Sequence, residues 1–184
     1  MTERTRSVQA PWRGRHNYTL NSGTVLRDAY RLLCVIMADR AIAEIIVDEA
    51  DSLISLREQF VEDEILHTVI QLAVMNRTQI DHMNGPRSDP SELSFRPVER
   101  DCGVLVEDVR AEGNEFALSF REACNKIIHA EHIVAETDET SGRAFPALPQ
   151  TLVLRGTKNR SAWQAHLNVP EFLRGTVENF DPFR

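Results

Sequence analysis

Residues 24 to 83 contain neither glycine nor proline, and an uninterrupted run of 60 such residues has few ways to fold. Apolar residues stand at 26, 29, 33, 36 and 37, then at 42, 45, 46, 53 and 56. A second set follows at Phe60, Ile65, Leu66, Val69, Leu72, Ala73 and Ile80. Steps of three and four are those of an α-helix, and the two residues that most readily break one are missing. A single straight helix over this run would reach roughly 90 Å at 1.5 Å per residue, too long for one compact domain. The chain must therefore turn. Ser55 to Asp63 is the expected place, because polar residues cluster there and Asp63 is suited to cap a second helix.

Asn84-Gly85-Pro86, Pro90 and Pro97 then predict an irregular connection. Residues 98 to 114 read as helical. Residues 116 to 132, FALSFREACNKIIHAEH, read as one amphipathic helix whose buried stripe is Phe116, Phe120, Ala123, Cys124, Ile127 and Ile128. Residues 137 to 150 hold Gly142, Pro146 and Pro149 and read as a loop. After them the period changes to two. Residues 151–155 and 162–167 alternate around Gly-Thr-Lys-Asn-Arg-Ser, which predicts a β-hairpin. Pro170 suits the first turn of a closing helix over residues 171–179. Residues 1–23 show no periodicity and are either disordered or pinned by Trp12 and Tyr18. The expected organisation is a polar segment at 1–23, a helical bundle at 24–136, and a loop, hairpin and short helix at 137–184 packed on the bundle.

Hydrophobic residues make up 42% of the chain and charged residues 27%, a balance that excludes a disordered or membrane-embedded class. No apolar run approaches the roughly 20 residues of a spanning helix. Arg4, Arg6, Arg13 and Arg15 precede no apolar stretch, so the N-terminus does not read as a secretory signal. Cys34, Cys102 and Cys124 are odd in number and widely spaced, which argues against a disulfide framework or a structural zinc site and for a reducing cytoplasm. A net charge of -7 argues against avid, nonspecific nucleic-acid binding. An anionic ligand would be met locally, by Arg121 and Lys126 or by the termini.

Arg121, Asn125 and His129 follow one another at four-residue steps, so on a helix they climb one flank. A histidine can move a proton at neutral pH, and an arginine can hold a phosphate and stabilise its transition-state charge. An asparagine between them can orient either. The same ladder is equally a structural flank in which Arg121 pairs with a carboxylate and His129 faces a helix C-terminus. Arg77 and Asp81, also four apart, read first as an ion pair; packed against the 116–132 helix, Arg77 would add a second cation near His129. His129, His132 and Glu136 form a weaker metal-ligand set, and more often such residues are simply solvated. At the hairpin tip, Lys158-Asn159-Arg160 reads as a solvated turn or an RNA-backbone contact, and Trp163 as a core residue. No Gly-rich phosphate loop, nucleophile elbow or paired-carboxylate motif is present.

Asn125-Lys-Ile-Ile-His129, after long acidic amphipathic helices, resembles the N-x-x-x-H core of HEPN-type domains over roughly residues 24–136. The resemblance implies a mainly α fold, a four- to five-helix bundle carrying the C-terminal hairpin and short helix as additions. It implies a homodimer, and a cytoplasmic, metal-independent ribonuclease of the toxin or defence type. His129 would be general base or acid in 2′-hydroxyl attack, Arg121 would hold the phosphoryl oxygens and Asn125 would orient. Lys126 and Arg77 would bind substrate, and no cofactor is needed. Seven residues separate Arg121 from His129, where the family has four to six. That departure keeps a second expectation open: a non-catalytic dimeric module that binds a regulatory partner protein or a nucleotide.

Overall fold

The computed structural model describes residues 21–48, 50–83, 98–109, 114–135 and 150–180. The segments 1–20, 84–97 and 136–149, and with them the expected N-terminal tail, proline-rich connection and loop, lie outside the described residues.

Two long helices come first, α1 (Ser22–Ile45) and α2 (Ser52–Met83). The Asn21 side chain caps α1 by accepting from the Thr24 N–H at 3.2 Å. The chain turns earlier than Ser55–Asp63. Three consecutive β-branched residues, Ile45-Ile46-Val47, are poor helix formers, and Ile46 already has extended dihedrals. Asp51, not Asp63, opens the next helix, its carboxylate accepting from the Leu53 N–H at 2.9 Å. The two helices are clamped near the turn by Arg57, which donates to the fully buried Asp39 at 2.9 Å. Farther along, Arg31 donates to Glu64 at 2.8 Å and Gln71 to Asp28 at 2.9 Å, so α1 and α2 run antiparallel.

The expectation of a mainly α, HEPN-like bundle fails here. Of the described residues, 61% are helical and 25% lie in a five-stranded antiparallel sheet, so the chain is mixed α/β. Residues expected to be helical from 98 onwards instead form β1 (Asp101–Glu107) and β2 (Asn114–Ser119). The expected 116–132 helix shrinks to α3 (Phe120–Ile128), followed by β3 (His132–Val134). The predicted hairpin is present as β4 (Thr151–Lys158) and β5 (Ser161–Asn168). Its two-residue turn, Asn159-Arg160, has φ of 52° and 69°, the left-handed pair that suits the twist of a tight hairpin. The predicted closing helix is α4 (Val169–Phe180), with Pro170 in its first turn.

The strand order is β2-β1-β5-β4-β3, so the hairpin predicted as an appendage occupies the centre of the sheet. Between β2 and β3, α3 carries the chain from one edge to the other. Leu105, Ala165 and Leu154 stand in register on one face and share a core with Leu32, Val69, Leu72, Ala123, Ile127 and Phe172. Of the helices, α3 and α4 lie against the strands, and α1 and α2 pack on each other and on α3 and α4. Arg100 ties the entry to β1 onto α4, donating to Glu171 at 2.6 Å and to both oxygens of Glu178.

A bulge in β1 shapes this sheet. The register with β2 shifts between Asp101 and Val104, so Cys102 and Leu105 are both buried although three residues apart. Gly103 sits at the shift with φ of 135°, and a Cβ there would lie 1.9 Å from the backbone oxygen of His166 in β5. Neither conformation nor space admits a side chain. Gly103→Ala is expected to destabilise the protein by about 3 kcal/mol or more in chemical denaturation. A midpoint matching the wild type would contradict this account of β1.

Candidate functional site

Ser119 ends β2 and caps α3: its hydroxyl accepts from the Glu122 N–H at 3.4 Å. Phe120, Ala123, Cys124 and Ile127 then face the core, which leaves Arg121 and Asn125 on the flank beside α2. Arg121 reaches Asp81 at 3.3 Å and Asn125 accepts from Arg77 at 2.6 Å. The later residue of α3 meets the earlier residue of α2, so the two helices are antiparallel and the ladder lies along their seam.

Along that seam cations and acceptors alternate. Asp81 takes a second bond from Arg77, at 2.8 Å. Asn125 donates to Glu122 at 3.0 Å, and Glu122 faces the Lys126 ammonium at 3.6 Å. Lys126 is only 4% exposed, with its nitrogen 4.3 Å from the centre of the Trp163 ring. The indole has room to lie there because Gly156, opposite it in β4, has no Cβ: one would meet the ring at 2.5 Å. Lys126 thus has an aromatic face and a carboxylate as its surroundings, a buried cation held by the core.

His129 is placed differently. It is the C-cap of α3, with φ of -106° and ψ of 10°. Its N–H still donates to the Asn125 carbonyl at 3.0 Å, but the residue is exposed. Among the described residues its ring makes no hydrogen bond. The structure therefore joins Arg77, Asp81, Arg121, Asn125, Glu122 and Lys126 into one network and leaves the imidazole off its end. His132 is exposed in β3, opposite Arg155. Glu136, the third member of the metal set, lies outside the described residues, and among those described no group of three His, Cys, Asp or Glu could hold a metal.

Two features escaped the sequence reading. The bond from Arg121 to Asp81 crosses a helix pair whose register no local pattern reveals. On the sheet, Arg155 donates to Gln164 at 2.9 Å, and the Gln164 amide lies 2.9 Å from the His166 ring. The alternation of β5 puts residues 164 and 166 on one face, a signal the hairpin pattern already contained. No helix among the described residues is long and apolar enough to cross a membrane.

The chain matches no family model, no curated protein and no solved structure. No relative therefore supports the HEPN resemblance.

Burial pushes the thiols of Cys102 and Cys124 up to about 12. With Cys34 exposed, a maleimide at neutral pH is expected to label one thiol in the folded protein and three after unfolding, since the thiolate is the reacting form. Rapid labelling of Cys124 in the folded state would contradict its packing.

Proposed function

We propose that this chain is a non-catalytic module that works by associating with protein, and in the first instance with itself. One observation carries the reading. On α2, Leu56, Phe60, Ile70 and Val74 are 56%, 54%, 42% and 43% exposed, although the same helix buries seven other residues in the core. An amphipathic helix with one partner layer needs one apolar face, and α2 has two. Exposed apolar side chains lined along a helix mark an interaction surface, and α1 exposes a second set, Tyr30, Leu33, Met37 and Ile45.

The polar seam supports the same reading from the other direction. Arg77 and Arg121 share Asp81, and Asn125 is held by Arg77 and Glu122, so both guanidiniums already serve the helix seam, Arg77 through two bonds and the half-exposed Arg121 through one. Ion pairs and hydrogen bonds of this kind fix how two helices meet. Cleavage of RNA is the second reading. What favours it is that His129, one turn beyond Asn125, is exposed and its ring makes no hydrogen bond among the described residues.

Two measurements on the full chain separate them. Sedimentation over about a hundredfold range of concentration is expected to show a reversible monomer–dimer equilibrium. Incubation with mixed RNA is expected to give no cleavage that His129→Ala removes. A strict monomer whose RNA cleavage is lost in His129→Ala would replace the proposal with the second reading.

A further inference from the structure

The outward residues of α2 follow a pattern of their own. Leu56, Phe60, Asp63, His67, Ile70 and Val74 are spaced four, three, four, three and four apart, the step of a coiled-coil seam. At 100° per residue this stripe lies roughly 160° round the helix from the buried ridge of Ile65, Val69, Leu72 and Asn76. Its centre borders a hollow of about 540 Å³ lined by Phe60, Asp63, Glu64, Leu66 and His67.

The stripe is also palindromic in chemistry. Reading from either end meets two apolar residues, then two polar ones, then two apolar ones. Leu56 and Val74 are equidistant from residue 65, as are Phe60 and Ile70, and Asp63 and His67. Two copies laid antiparallel about a two-fold axis at that level set Leu56 on Val74 of the other copy and Phe60 on Ile70. Each Asp63 then meets His67. An imidazole N–H can donate to a carboxylate whether or not the ring is charged. A parallel pairing would instead oppose Asp63 to Asp63. An isologous interface requires such self-complementarity, and the charges choose the direction.

We infer that a second copy of this chain occupies the outer face of α2, antiparallel and centred on residue 65. The inference rests on the reading of the chain as a self-associating module and adds the surface, the direction and the register. All six positions face outward, so substitutions there leave the core intact, which thermal unfolding of each variant verifies.

The test is sedimentation equilibrium of the full chain carrying exchanged charges. His67→Asp places two carboxylates opposite one another, and Asp63→Lys removes the carboxylate that accepts from the imidazole; each is expected to raise the dimer dissociation constant about tenfold. The double variant restores opposite charges and is expected to return within about threefold of the wild type. Phe60→Asp, at an apolar layer, is expected to weaken association by about a hundredfold or more. A dimer indifferent to all of these substitutions would overturn the α2 register while leaving self-association standing. So would one weakened by Phe60→Asp but not by the single charge variants. A wild type that stays monomeric throughout would overturn both, and would assign the stripe to a different protein.

Discussion

A buried amide decides how the layers meet. Asn76 has no exposed surface, and its side chain donates to the Leu72 carbonyl and to Thr176 at 2.9 Å each. Its oxygen accepts from Asn179 at 3.0 Å. An unpaired amide in such a core costs about 1–3 kcal/mol, so α2 and α4 have one docking register in which the Asn76 side chain is satisfied, and of the buried side-chain polar atoms only the Asn179 Oδ1 is left without a partner among the described residues. Once that register is set, the rest of α2 follows from its helical repeat. Arg77, the next residue, must turn towards α3 and find Asn125, and the stripe from Leu56 to Val74 must point away from the sheet.

The same geometry explains the Arg121–Asn125–His129 ladder. Four-residue spacing aligns side chains on any helix, and a second helix beside them turns that alignment into a row of cross-links. Arg121 and Asn125 are within the length of α3 and are cross-linked to α2 in this way. His129 falls at the end, where the backbone leaves helical dihedrals, and its ring stays outside the network. The catalytic appearance of the triplet comes from a periodicity that helix packing also needs.

How far the sequence was legible depended on whether local periodicity matched the structure formed. The absence of glycine and proline across residues 24–83 and the alternation of β4 and β5 were true signals, as was Pro170 at the start of α4. The bulge at Gly103 misled: it brings Cys102 and Leu105 to one face three residues apart, a helical step written into a strand. Phe116, Leu118 and Phe120 alternate as strand residues do, but Phe116 and Phe120 are also four apart. Ser119-Phe-Arg-Glu122 is a capping-box sequence that marks where α3 begins. Of the site, the Arg77–Asp81 pair was local and readable. The bonds from Asp81 to Arg121 and from Arg77 to Asn125 link residues 40 and 48 apart and follow only from the tertiary register.

As proposed above, α2 serves two layers at once, its own core and a second copy reversed against it. A nitroxide at Thr78→Cys, in a Cys34→Ser background, reads this directly through the distance between labels in the dimer. Thr78 is exposed and stands 13 residues beyond the proposed axis. Antiparallel pairing about residue 65 predicts a separation of about 40 Å along the helix axes. A short distance of about 10 Å, the spacing of parallel helices in contact, would contradict it.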